Sequence, residues 1–124
     1  MEAGLSKQEI LGVAPKTRLL FICSGNRDRS PTAEALFHDS AEYEARSAGT
    51  HLSATQKVTQ EMLDWADMIF VMSESEDGHV TYLKENFDLH GKKIHDLEIL
   101  DRYDRGEPDL VNLLRQRLAP FVKV

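Results

Sequence analysis

Arg18-Leu19-Leu20-Phe21-Ile22-Cys23-Ser24-Gly25-Asn26-Arg27-Asp28-Arg29-Ser30-Pro31 is the stretch on which the reading of the fold turns. Residues 18–22 form a short apolar run that stops at turn residues, the pattern of a buried strand. Pro31 suits a first helical turn, Ser30 the capping position before it, and Glu34 the reciprocal place in a capping arrangement, so a helix is expected to begin near Pro31. A loop between a strand and a helix turns backbone N–H groups inward, and the helix N-terminus adds positive potential. An anion is favoured there before any side chain is considered.

Cys23 is the only cysteine in the chain, and five residues separate it from Arg29. A thiol and a guanidinium joined by so short a loop can surround one tetrahedral oxyanion, and phosphate is the obvious candidate. Thiols at helix N-termini or beside arginine lose their proton more easily than free cysteine, so Cys23 is the expected nucleophile. Arg29 offers a planar fork that binds two equatorial oxygens of a trigonal-bipyramidal transition state, a task lysine performs poorly. A lone cysteine is more often an inert core residue; Arg29 in the same loop tips the reading toward chemistry.

This loop resembles that of the low-molecular-weight protein tyrosine phosphatases, which has the form Cys-x-Gly-Asn-x-x-Arg-Ser-Pro. Cys23, Gly25, Asn26, Arg29, Ser30 and Pro31 all match. The resemblance continues through Thr32-Ala33-Glu34-Ala35, then Ser47-Ala48-Gly49-Thr50, and then Asp67-Met68-Ile69-Phe70-Val71-Met72, so that it spans most of residues 18 to 118. It implies that backbone amides from Ser24 to Arg29, with Ser24, Gly25, Asn26, Arg27 and Asp28 around the anion, hold the phosphoryl oxygens. It also implies that Ser30 donates to the Cys23 sulfur and that Asn26 holds the loop through a side-chain hydrogen bond to Ser47. The family carries its general acid in an Asp-Pro pair after the fourth strand, usually followed by tyrosine. Here Ile99-Leu100-Asp101-Arg102-Tyr103 occupies that place, which nominates Asp101 as the acid and Tyr103 as a substrate-flanking aromatic. Asp104 and Asp109 are rivals for the acid, although an acid in the first turn of the last helix is already explained by the helix dipole.

Three departures from the family pattern stand out. Arg102 replaces the proline that stiffens the acid loop. Asp28 stands where a second cysteine is common. A carboxylate in an anion-binding loop repels a phosphate dianion unless it points outward or pairs with Arg27, Arg46 or Arg102. Only sixteen residues lie between Thr50 and Asp67, which shortens a wall of the cleft.

The chain has 124 residues, enough for one domain over 18–124, with residues 1–17 as an extension in which Gln8–Val13 makes at most a turn of helix before Pro15 stops it. Alternating patterns predict strands over 18–22, 43–47, 68–72 and 93–97, with helices over 32–40, 55–65, 76–87 and 108–118. Strand alternating with helix implies a three-layer α/β fold: a four-stranded parallel sheet with helices on both faces, binding ligands beyond the strands' C-terminal ends. Trp65 and the methionines fit core packing. The five histidines, at positions 38, 51, 79, 90 and 95, show no metal-ligand spacing, so no metal and no organic cofactor is expected. A net charge of −6 disfavours general nucleic-acid binding, and no segment reads as a membrane span or signal peptide, which makes a cytoplasmic location the expectation.

The expected activity is therefore cysteine-dependent hydrolysis of a phosphomonoester, on a phosphorylated protein or a small molecule, through a phosphocysteine intermediate. Three other classes share the loop: a glutathione-dependent arsenate reductase, a phosphocarrier, against which Arg29 argues, and a phosphate-binding pseudoenzyme. Neither the physiological substrate nor the oligomeric state is legible in the residues.

Overall fold

Leu19, Leu20, Phe21 and Ile22 are all fully buried, which requires a strand covered on both faces. This strand, β1 (Thr17–Cys23), lies at the heart of the computed structural model, which describes residues 15–124. The predicted turn over Gln8–Val13, and all but the last three residues of the expected extension, lie outside the described residues. Successive side chains of β1 point to opposite faces, as the strand period dictates. Leu19, Phe21 and Cys23 join one core cluster, and Leu20 and Ile22 join the other.

The remaining strands are β2 (Tyr43–Gly49), β3 (Met68–Val71) and β4 (Ile94–Asp96), and the sheet runs β2-β1-β3-β4 with every pairing parallel. Helices α1 (Arg29–Ala35) and α4 (Pro108–Leu118) cover one face through Ala33, Leu110, Leu114 and Leu118. Helices α2 (Gln60–Trp65) and α3 (His79–Asn86) cover the other through Leu63 and Leu83. Phe21 stacks between Phe37 and Phe70 at centroid distances of 5.8 and 5.3 Å. Burying each such ring contributes about 1.5–3 kcal/mol. Chain order reverses between β1 and β3, which creates a crevice at the C-terminal end of β1, where Cys23 sits.

The architecture is the expected α/β sheet, and the strand limits agree within the one or two residues by which strand ends ordinarily differ. Three helix starts differ for physical reasons. Helix α1 begins at Arg29, not near Pro31, and Ser30 is not its cap, because the Ser30 hydroxyl is engaged inside the loop. Glu34 likewise completes no capping pair; its carboxylate accepts the Ser47 hydroxyl. Helix α2 begins at Gln60, with the Thr59 hydroxyl accepting the Met62 N–H, because the backbone before it is taken by a bridge from Lys57 to Gly49 at the end of β2. Helix α3 begins at His79 after Gly78, whose φ of +64° breaks the helical path expected from Glu76.

Candidate active site

The loop after β1 is held from below by its own carbonyls. Those of Cys23, Ser24 and Gly25 accept the N–H groups of Thr50, His51 and Thr55 at 3.0, 3.0 and 3.1 Å. In a trans peptide the following N–H points the opposite way, so the amides of Ser24, Gly25 and Asn26 turn toward the open side of the loop. Gly49 is the floor on which the loop rests: a Cβ there would lie 2.4 Å from the Ser24 carbonyl oxygen and 3.0 Å from the Asn26 nitrogen. Asn26 adopts φ +53°, a left-handed conformation that asparagine tolerates.

The Cys23 sulfur, 3 % exposed, accepts the Asn26 N–H at 3.2 Å and lies 2.9 Å from the Ser30 hydroxyl. The Asn26 side-chain amide donates at 2.9 Å to both Ser30 Oγ and Ser47 Oγ. The Asn26 N–H therefore donates to the sulfur, and the Ser30 hydroxyl lies within hydrogen-bond distance of it and of the Ala48 carbonyl, at 3.4 Å. With Ser30 occupied in this way, the first turn of α1 carries no side-chain cap, and its N–H groups are not taken by a serine, as a conventional helix start would have it.

Arg29 is 1 % exposed, and its Nη1 donates to Asp77 Oδ2 at 2.9 Å and to the Ile99 carbonyl at 2.8 Å. Asp101 Oδ1 stands 3.7 Å from Nε. A buried guanidinium needs such partners; Asp101 stands at the Nε edge of the fork, and both residues line the same cavity. Asp77 was not found by sequence reasoning, which placed it inside a helix. Its second oxygen accepts the Ser24 hydroxyl at 3.3 Å, and Ser24 Oγ lies 2.9 Å from His79 Nε2. Because His79 Nδ1 accepts the Ser73 N–H at 3.0 Å, the ring proton sits on Nε2 and donates to Ser24. A chain of bonds thus runs from the end of β3 through His79, Ser24 and Asp77 to Arg29.

His79 is fully buried, and burial is the main reason its pKa is lowered to about 4, with the Arg29 charge acting in the same direction and Asp77 opposing. A histidine kept neutral in the fold stabilises fully above its ordinary pKa of 6.5 and loses that contribution as pH falls toward 4. Unfolding free energy should therefore drop by about 2 kcal/mol more between pH 7 and pH 5 in the wild type than in His79→Asn. Parallel pH dependences in denaturant titrations of the two proteins would refute this.

Above the loop lies a cavity of about 260 Å³, lined by Cys23, Ser24, Gly25, Arg27, Asp28, Arg29 and Asp101, with His51 and Ser53 completing the wall. Asp101 is 62 % exposed and reaches into this space. Asp104 and Asp109 are exposed and do not line it. Tyr103 is half-buried against the α1/α4 core and is not part of the cavity wall. Asp28 pairs with none of Arg27, Arg46 and Arg102; its carboxylate accepts the backbone N–H of Arg105 at 3.0 Å. His51 and Ser53 carry no spacing signal and were missed in the sequence. They follow directly on Thr50, the segment that supports the loop.

Residues 18–67 match the family model of low molecular weight phosphotyrosine protein phosphatase. Among solved structures, the YwlE arginine phosphatase from Geobacillus stearothermophilus is 25% identical, with 84% of this chain and 91% of that one covered and a TM-score of 0.61. The tyrosine phosphatase Wzb from Escherichia coli K30, in complex with phosphate, is 21% identical over 86% of this chain and 96% of its own, with a TM-score of 0.67. A thioredoxin-dependent arsenate reductase from Corynebacterium glutamicum is 19% identical, covers 91% of this chain and 64% of its own, and has a TM-score of 0.58. The last two are likenesses of fold. A search of curated protein sequences finds no significant match.

Proposed function

We propose that the chain, whose residues 18–67 match the low molecular weight phosphotyrosine protein phosphatase model and whose fold is shared with solved phosphatases, hydrolyses phosphomonoesters through a phosphocysteine intermediate. The observation that carries this reading is the buried Cys23 sulfur at a cavity of about 260 Å³, with the Asn26 N–H donating to it, the Ser30 hydroxyl 2.9 Å away and Arg29 in the same wall.

In the first step the Cys23 thiolate attacks phosphorus, the bond to the leaving oxygen breaks, and the Asp101 carboxyl gives that oxygen its proton. In the second, the Asp101 carboxylate takes a proton from water as that water attacks phosphorus. The sulfur–phosphorus bond breaks, and inorganic phosphate leaves. Loop amides and the Arg29 fork hold the equatorial oxygens throughout. Ser30, at 2.9 Å from the sulfur, stabilises the thiolate both before attack and on departure.

The substrate is a phosphorylated protein or a small phosphomonoester, and the site of action is the cytoplasm. Among the described residues no helix is long and apolar enough to cross a membrane. A thioredoxin-type arsenate relay needs further cysteines, and the chain has one, so only a glutathione-dependent version fits.

The test is hydrolysis of p-nitrophenyl phosphate in chelator-treated buffer with rapid mixing. Steady turnover after a burst of one p-nitrophenolate per active site is expected. A protein that binds vanadate without turning over the ester would support the carrier, arsenate or binding-module readings instead. Asp101→Asn should slow phenyl phosphate, whose leaving group needs the proton, about a hundredfold, and p-nitrophenyl phosphate only a few-fold. Equal slowing of both esters would assign the acid elsewhere.

A further inference from the structure

We propose that Asp28 is a positioning residue for the general acid: its carboxylate pins the loop that carries Asp101 to the first turn of α1. The proposal rests on the reading of Asp101 as the acid.

Asp28 stands at the N-cap of α1, where an aspartate ordinarily accepts an N–H of its own helix, yet its side chain makes no capping bond. Oδ1 instead accepts the N–H of Arg105, 77 residues further along the chain, at 3.0 Å. One turn into α1, Thr32 Oγ1 donates to the Asp28 carbonyl at 2.7 Å and accepts the N–H of Gly106 at 2.9 Å. Two consecutive amides of the acid loop therefore dock on two acceptors of one helical turn. Gly106 follows at φ +76°, a turn open to glycine that lets the chain leave this dock toward α4.

The upstream end of the same loop is fixed separately. Ile99 donates its N–H to the Met72 carbonyl at 2.6 Å, and its own carbonyl accepts from Arg29 at 2.8 Å. Asp101 thus lies on the short span between an anchor at Ile99 and an anchor at Arg105. The Arg102–Glu76 pair within that span is 3.8 Å long and exposed on both sides, and such pairs hold little. Proline, which would stiffen the span, is replaced by Arg102. A charged acceptor binding a backbone N–H is among the stronger hydrogen bonds available at a surface, and here it performs the restraint that the missing ring does not. Two departures from the family pattern, an acid in the phosphate loop and a lost proline in the acid loop, thereby answer one another.

The experiment compares Asp28→Ala, Asp28→Asn and Asp28→Ser on phenyl phosphate and p-nitrophenyl phosphate. The alanine variant should lose about tenfold in kcat on phenyl phosphate, equivalent to ~1.4 kcal/mol, and less than threefold on p-nitrophenyl phosphate. Asparagine keeps an acceptor oxygen at the same reach and should recover most of that loss. Serine caps the helix well but is too short to reach Arg105, so it should behave as alanine does while folding at least as readily. If asparagine and alanine act alike, the charge and not the bond is what matters, and the proposal falls; it falls equally if all three variants turn over faster than the wild type. Amide hydrogen exchange at Arg105 supplies a readout that needs no catalysis: faster in the alanine and serine variants, restored by asparagine. Unchanged exchange overturns the tether even in a protein without phosphatase activity, while altered exchange without turnover would indict the assigned chemistry alone.

Discussion

Cys23→Ser removes turnover of p-nitrophenyl phosphate by a factor on the order of 10⁴ or more, as loss of a nucleophile does in enzymes that depend on one. A serine hydroxyl is a far weaker nucleophile than a thiolate, and the loop's carboxylate, Asp28, is engaged by the Arg105 N–H and makes no hydrogen bond to residue 23. The donors that favour the sulfur anion, the Ser30 hydroxyl and the Asn26 N–H, would hold a neutral hydroxyl instead. The fold should survive, because the side chain is small and the surrounding bonds are made by other residues. Circular dichroism and the steady-state rate, taken together on a metal-free preparation, check both halves. Turnover within tenfold of the wild type would refute the nucleophile assignment.

Arg29→Lys is the second large effect, with an expected fall of about 10³ in kcat, at the upper end of what removing one oxyanion donor costs. The guanidinium performs two jobs at once. Nη1 is committed to Asp77 and the Ile99 carbonyl, while Arg29 also lines the cavity beside Asp101. A lysine ammonium is a single point with three donors and no fixed plane, so it serves the carboxylate or the phosphoryl oxygens but not both with correct geometry. The variant should also unfold more easily, because the Ile99 carbonyl and one Asp77 oxygen compete for fewer donors in a nearly dry place. Vanadate affinity should fall with kcat. A lysine variant within tenfold of wild type in kcat would show that the loop amides alone hold the phosphoryl group.

The strand-loop-helix core of this protein was legible in its sequence because it obeys two local rules at full strength. A continuous apolar run ending in a glycine-containing turn has one good interpretation in an alternating pattern, and the complete burial of Leu19 to Ile22 is its consequence. The thiol and the arginine were legible for the same reason: they stand at the two ends of one seven-residue segment. Local rules misled where a residue had a more demanding partner in space. Ser30 reads as a helix cap until the sulfur is placed beside it, and Asp28 reads as a repulsive charge until the Arg105 amide is. Asp77 and His79 went unseen because the run Glu76–Phe87 has a helical complexion. Gly78 inside it, and the serines and acids of Ser73-Glu74-Ser75-Glu76-Asp77 before it, were the available signs of a turn. Tyr103, expected to flank the substrate, is half-buried and packs one side against the core.

The bonds made by Arg29 reach 48 residues along the chain to Asp77 and 70 to Ile99. No segment shorter than that contains a working site. Each parallel neighbour in the sheet is reached only by a crossover, so the ends of β1, β3 and β4 come together after the long loops between them have closed. The nucleophile loop lies early in the chain, but the partners that orient its arginine come from the segments after β3 and β4. Catalytic competence in this protein therefore requires the sheet to be complete through the end of β4.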